Sequence, residues 1–181
     1  MTVLHSARLR LEPISDVHYD GLRVLNANPD VMRYITGQPE TAEETRATIV
    51  RVEARWATFG FGWWCFIDTA SGELIGAGCI QYLAQDPANG HEIGWRLRPD
   101  YQGRGYALEA AERMARFAFD DLDAPLLCAI CDPANTRSAH LMEKLGMRFR
   151  GRETWHARET LVYQIGRAAW KARTRAGAAA R

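Results

Sequence analysis

The chain has 181 residues, of which 47% are hydrophobic, with 23 basic side chains set against 22 acidic ones. That length suits one domain with a full apolar core, and the near-cancelling charge gives no global field for nucleic acid or an anionic membrane surface. No apolar stretch approaches the roughly 20 residues that span a bilayer, and MTVLHSARLRLEPI lacks the charged start and apolar run of a secretory signal, so a cytoplasmic location is expected.

In chain order, ARLRLEPI alternates Leu9 and Leu11 with Arg8 and Arg10, the period of a half-buried strand. A helix is expected from Asp16 to about Ala27, and NPDVMRYI opens a further short turn. Thr41 and Glu44 form a capping box for a longer helix, with Ile49, Val52, Trp56 and Phe59 along one core-facing stripe. The runs FGWWCFID, ELIGAGCIQYL and HEIGWRL read as strands, the first two joined by the turn TASG as an antiparallel hairpin. The stretch RPDYQGRGYALEA follows. The helix it opens puts Leu108, Ala111, Ala115, Ala118 and Leu122 on one face, with Glu109–Arg113 and Glu112–Arg116 spaced as i,i+4 ion pairs.

PLLCAIC reads as a short strand buried on both faces. A second helix from about Asn135 to Leu145 has Asn135 as its N-cap and Gly146 just beyond its end. MRFRGRETW and ETLVYQIG supply two late strands. No repeat or composition break divides the chain, so residues 1–170 are expected to form one domain and 171–181 a basic tail. Strands first and βα units later imply an α+β fold around a mixed sheet.

Cys128 and Cys131 make a C-x-x-C inside an apolar strand, where a spacing of three turns the side chains to opposite faces. No second ligand pair has the spacing of a zinc site. Together with Cys65 and Cys79 they read as buried core thiols, and no metal is expected. Gly103 and Gly105 stand between a strand and a helix N-terminus, where unpaired N–H groups and the helix dipole favour phosphate. A dinucleotide fingerprint needs a third glycine after an early strand, and a Walker loop needs a lysine after its last glycine. Here the third glycine and that lysine are missing and the loop lies in mid-chain.

Gln102-Gly103-Arg104-Gly105-Tyr106-Ala107 resembles the Q/R-x-x-G-x-G/A motif that holds the pyrophosphate of acyl-CoA in the GNAT N-acetyltransferase superfamily. ARLRLEPI, GELIGAGCI, HEIGWRLRPDYQGRGYALEA and NTRSAHLMEKLGM, in that order within residues 6–150, are similar to its RimJ/RimL-like branch. The resemblance implies a GNAT fold: a central, twisted, mostly antiparallel sheet of six to seven strands flanked by helices, with a parallel and splayed fourth and fifth strand. It implies acetyl-CoA as co-substrate, its pantetheine arm paired with backbone near Trp95 and Leu97. Gln102 and the N–H groups from Gly103, Arg104, Gly105, Tyr106, Ala107 and Leu108 would wrap the pyrophosphate, and Asn135 would bind the pantetheine arm.

For the transfer itself, amines of pKa about 8 to 10 must lose a proton at neutral pH, and Glu92, on the strand beside the acyl group, is the candidate base. His91 alternates to the other face and reads as a surface residue. A bulge near Ile93 or Gly94 is expected to turn a backbone N–H toward the reacting carbonyl oxygen. Many family members carry a tyrosine acid four residues before the glycine of a K-L-G-F segment. Met142 stands there and Met147 replaces the phenylalanine; the RimJ/RimL-like resemblance, whose N-x-x-S is matched by Asn135 and Ser138, implies that Ser138 donates to the departing sulfur.

The implied activity is N-acetylation of a primary amine, either a protein N-terminal α-amine or a small molecule, through a ternary complex. A non-catalytic acyl-CoA-binding module is the alternative, and the presence of Glu92, Asn135 and Ser138 together argues against it, since a binder needs none of them for chemistry. Trp56, Phe59, Trp63 and Trp64 are read as core rather than as an acceptor pocket. No nucleic acid or membrane partner is expected, since no stacking platform accompanies the basic tail. A homodimer is left open.

Overall fold

The computed structural model describes residues 1–179. Its strands are β1 (Leu4–His5), β2 (Leu9–Pro13), β3 (Trp63–Asp68), β4 (Leu74–Tyr82), β5 (His91–Leu97), β6 (Leu126–Cys131), β7 (Arg148–Trp155) and β8 (Arg158–Gly166). The helices are α1 (Tyr19–Asn26), α2 (Pro29–Met32), α3 (Ala42–Phe59), α4 (Tyr106–Asp120), α5 (Thr136–Lys144) and α6 (Arg167–Ala179). The strands form one sheet in the order β1-β2-β3-β4-β5-β6-β8-β7. Every neighbouring pair is antiparallel except β5 and β6.

The α+β architecture is the expected one. The sheet has eight strands rather than six or seven because the two-residue β1 adds to its edge. The parallel pair expected as fourth and fifth is therefore β5 and β6. No helix among the described residues is long and apolar enough to cross a membrane.

Alternation along the strands assigns each side chain to a face. Trp64 and Phe66 of β3, Gly76 and Gly78 of β4 and Leu97 of β5 lie on the face covered by α4, where Phe117 packs edge-on to Trp64 at 5.4 Å between ring centroids. Trp63, Gln81, Glu92, Gly94 and Arg96 lie on the opposite face, toward α1, α2 and α3. The helix α4 is rich in alanine, and Ala110, Ala111, Ala115 and Ala118 are fully buried. On the strand side, a Cβ on Gly78 would lie 2.5 Å from the Phe66 ring, 2.7 Å from the Gly94 carbonyl oxygen and 2.8 Å from Met114 Cε. Small residues on both sides of this seam bring the helix axis close to the sheet. They fix where the N-terminus of α4 ends up.

The Thr41–Glu44 capping box is formed, with Glu44 N–H donating to Thr41 Oγ1 at 3.1 Å and Thr41 N–H to Glu44 Oε2 at 2.7 Å. Ile49, Val52 and Trp56 are buried as expected, whereas Phe59 is 40% exposed and rests on Phe61 and Tyr82. The i,i+4 ion pairs expected along α4 are replaced by tertiary ones: Glu109 binds Arg8 ahead of β2, and Glu112 binds Arg173 of α6. A fixed partner from another element displaces a flexible neighbour on the helix itself, whose pairing is worth only a few tenths of a kcal/mol. The expected tail begins inside α6, which runs unbroken past residue 170, and residues 180 and 181 lie outside the described residues.

Because the atoms facing Gly78 include backbone, an added methyl cannot be absorbed by a rotamer change. Gly78→Ala is expected to destabilise the protein by about 1–3 kcal/mol, read as a lower urea midpoint at unchanged m-value.

Candidate active site

The parallel ladder between β5 and β6 covers only His91↔Leu127 and Glu92↔Cys128. Beyond that point β5 stays paired with β4 through Leu97, and β6 stays paired with β8 through Cys131. The two strands therefore diverge, and the edge of β5 from Ile93 onward has no strand neighbour. Arg98 N–H donates to Ile75 of β4 at 2.8 Å. Backbone groups alternate between edges in an antiparallel ladder, so those of Ile93, Trp95 and Leu97 point into the gap. The Leu97 carbonyl there accepts from Gln102 Nε2 at 3.1 Å. Gln102 Oε1 in turn accepts from Arg137 Nη1 of α5 at 2.7 Å, a bridge across the open end.

The ladder between β4 and β5 runs in regular register through Ile93 and Gly94. The expected bulge is not there: full pairing with β4 leaves no residue to spare on that side.

Gly103 and Gly105 both adopt left-handed backbone, with φ of 75° and 84°, a region that costs a residue with a Cβ about 1–2 kcal/mol. Gly105 is the N-cap of α4, and its carbonyl accepts the first helical bond, from Glu109 N–H at 3.1 Å. The loop is braced from β2. Arg8 Nη1 donates to the Arg104 carbonyl at 3.1 Å, its Nε to Glu109 Oε2 at 2.7 Å, and its guanidinium lies 4.2 Å from the centre of the Tyr106 ring. The Tyr106 hydroxyl reaches Asp68 Oδ1 at 3.2 Å. The Arg104 guanidinium lies 5.5 Å from the centre of the Tyr101 ring. The first-turn N–H groups of α4 thus open beside the free edge of β5, with cations close by.

Glu92 is buried at 7% exposure, and burial pushes its carboxyl up to about 7 against the opposing pull of a hydrogen bond from Gln81. Gln81 Nε2 donates to Glu92 Oε2 at 2.8 Å. His91 is half-buried rather than a surface residue, packed against Phe61 and Tyr82 at 5.4 and 5.0 Å between ring centroids, and burial lowers its proton affinity. All four cysteines are buried as free thiols, as expected.

Past β6, Asn135 caps α5, its Oδ1 accepting from Ser138 N–H at 3.2 Å, so Ser138 lies in the helix's first turn. Met142 and Met147 are both buried in the core. A cavity of about 300 Å³ opens at the C-terminal end of β6, between Tyr34 beyond α2 and the β7–β8 hairpin. Cys128 faces the same side as its partner Glu92, so Ile130, Thr160 and Arg158 share that face through the β6–β8 register. The cavity is therefore on the Glu92 side of the sheet, about 7 Å further along β6 from Cys128 to Ile130. Ile130 and Trp155 supply apolar lining, and Asp132 and Arg158 add charges. Tyr34 Oη reaches the Ala134 carbonyl at 3.5 Å, and Arg158 Nη2 reaches the Thr36 carbonyl at 3.4 Å, which joins the two walls.

Of the sequence-predicted residues, Trp95, Leu97 and Gln102 through Leu108 are gathered at the end of β5 and the start of α4. Asn135 and Ser138 open α5, and Glu92 marks the last rung where β5 and β6 pair. Arg8, Tyr34, Gln81, Arg137 and Trp155 escaped the sequence reading. Their contacts with the site cross from 11 residues, for Gln81 and Glu92, to 101 residues, for Arg8 and Glu109, and no local spacing announces such pairs.

A family profile described as "Acetyltransferase (GNAT) domain" matches residues 8–148. The FsC-acetyl coenzyme A-N(2)-transacetylase of Aspergillus fumigatus is 32% identical over 127 residues, 66% of this chain, and the chain spans 53% of that relative's length. The crystal structure of an acetyltransferase from Agrobacterium tumefaciens superposes with a TM-score of 0.79 at 30% identity, covering 91% of this chain and 94% of that one. A RimL ribosomal L7/L12 α-N-protein acetyltransferase, solved in complex with coenzyme A, shares the fold with a TM-score of 0.79 at 16% identity over 93% of this chain and 99% of its own. The profile match runs across every strand from β2 to β6 and the loop between β5 and α4, so the chain belongs to the GNAT acetyltransferase family.

Proposed function

We propose that the protein is an acetyl-CoA-dependent N-acetyltransferase acting on a primary amine, either a protein N-terminal α-amine as in RimJ/RimL-like enzymes or the amine of a small molecule. The observation that carries this reading is the left-handed Gly103–Gly105 loop opening α4 beside a strand edge freed by the β5–β6 divergence. An elongated amide-bearing arm ending in a pyrophosphate fits that pair of features. Backbone of Trp95 and Leu97 offers pairing to the arm, and the N–H groups from Gly103 to Leu108 offer donors to the anion, strengthened by the helix dipole. Arg104 adds charge there. Gln102 holds the loop to Leu97, and the Asn135 amide nitrogen is left for the arm after its oxygen has capped α5.

Acetyl-CoA, when bound, supplies an acyl group as a thioester. The chain's own task is to place the acceptor and move protons. Glu92, through a water, takes the proton from the acceptor nitrogen as the N–C bond forms and the C–S bond breaks, and the Ser138 hydroxyl donates a hydrogen bond to the leaving thiolate, which takes its proton from solvent. The cavity walled by Tyr34 and Trp155 receives the acceptor from the Glu92 side. Thiol release measured over a panel of small amines and N-terminal peptides tests the reaction and identifies the acceptor. No turnover with any amine despite tight acetyl-CoA binding would favour a binding module instead.

Gly105→Val forces a β-branched residue to φ 84° and brings its Cβ to 3.4 Å from Arg8 Nη2, within the loop proposed to hold the anion. Acetyl-CoA affinity by calorimetry is expected to fall more than about tenfold, with backbone strain of about 1–3 kcal/mol visible as a lower melting temperature. Ser138→Ala is expected to lower kcat while leaving CoA affinity unchanged, as for an interaction made only in the transition state.

Glu92 carries two coupled expectations. Its raised proton affinity sets the acid limb of kcat/KM near pH 7. Glu92→Gln should cost about 10²- to 10⁴-fold at neutral pH, the loss shrinking where the amine deprotonates in solution. The folded state also holds this proton more tightly than the unfolded chain between its ordinary value of 4.5 and about 7, so stability falls as pH rises through that window. At pH 8 Glu92→Gln should therefore be more stable than wild type by up to about 3 kcal/mol. The gap should vanish below about pH 4, which urea unfolding at the two pH values checks.

A further inference from the structure

Gln81 of β4 stands directly across the ladder from Glu92 of β5, and the two ends of its amide face different company. Trp63 Nε1 and Arg55 Nη1 meet Oε1 at 3.0 and 3.4 Å. Both groups can only donate, so the amide oxygen must face them and the NH₂ must face Glu92 Oε2, 2.8 Å away. The polarity of the amide is thus set by β3 and α3 and cannot invert without losing both bonds. Among the described residues, Gln81 is the one hydrogen-bond partner of the Glu92 carboxyl. A freely rotating buried carboxyl would offer either oxygen, while a carboxyl held at Oε2 offers Oε1.

We infer that Gln81 is a positioning residue for the transfer: it selects which oxygen of Glu92 accepts the acceptor's proton and stabilises the ionised carboxylate through a donor of fixed direction. The inference rests on the reading of Glu92 as the base. The other titratable groups around Glu92 do not supply this. Cys79 of β4 is held protonated by burial, and Cys128 of β6 is pushed up to about 12. Arg55 of α3 acts across Gln81, Arg96 lies four residues along β5 on the same face, and the neighbouring His91 turns to the Phe61–Tyr82 cluster.

The test is a titration of the Glu92 carboxyl carbon by NMR, assigned by its absence in Glu92→Gln, together with pH profiles of kcat/KM. Gln81→Met keeps the length and removes the donor. The Glu92 midpoint is expected to rise by about one pH unit, the acid limb of kcat/KM to move with it, and the KM for acetyl-CoA to stay unchanged. Trp63→Phe leaves only the longer Arg55 bond to hold the amide oxygen, so it should move the midpoint in the same direction by a smaller amount, a link that mere packing by Gln81 would not create. Gln81→Asn, with its amide drawn back by one methylene, carries the same test if the methionine variant does not fold. A Glu92 midpoint unchanged in Gln81→Met or Gln81→Asn overturns the inference. A midpoint that rises while the acid limb stays in place removes Glu92 as the base and, with it, the role of Gln81 in proton transfer.

Discussion

Two rungs of parallel pairing, at His91 and Glu92, decide what the rest of the molecule can do. A strand held on both edges has no backbone groups to spare, whereas β5 is held by β4 along its whole length and by β6 only at its start. The freed edge keeps its shape because the antiparallel ladder behind it is complete. The missing bulge is consistent with this: β5 presents its N–H and C=O groups by losing a neighbour, not by distorting its own register.

The proposed use of the free edge needs a helix N-terminus set at a fixed distance from it, and α4 supplies one. The glycines of β4 and the alanines of α4 bring helix and sheet into close contact, and Arg8 ties the loop and the first helical turn back to the start of β2. The same arginine neutralises Glu109, whose carboxylate would otherwise weaken the attraction of the helix N-terminus for phosphate. Left-handed Gly103 and Gly105 then let the chain turn from strand to helix within a few residues without a Cβ in the way.

The opposite face of the sheet carries the chemistry proposed here, and it is destabilising by construction. A carboxyl buried until its proton affinity reaches neutrality is a poor contributor to folding and a well-matched base. Burial supplies the shift, and the amide of Gln81 limits it. Separating the faces keeps these demands apart, with α4 and the glycine loop on one side and Glu92, Gln81 and the cavity beside Tyr34 and Trp155 on the other.

The order of elements, the capping box of α3, the glycine loop and the cap of α5 were all legible in the sequence. Each is a local matter: Thr41 and Glu44 are three residues apart, Asn135 and Ser138 likewise, and a strand's alternation shows within five residues. The loop motif and its flanking segments also sufficed to place the chain near its family. Tertiary structure alone decided that Glu109 pairs with Arg8 and not Arg113, that His91 sits in an aromatic cluster, and that Gln81 faces Glu92 with its nitrogen. It also settled that Phe59 stays exposed while the rest of its stripe is buried. Those outcomes depend on which elements become neighbours after the chain closes on itself. Local periodicity says which side of a strand or helix a residue faces, but not what it will meet there.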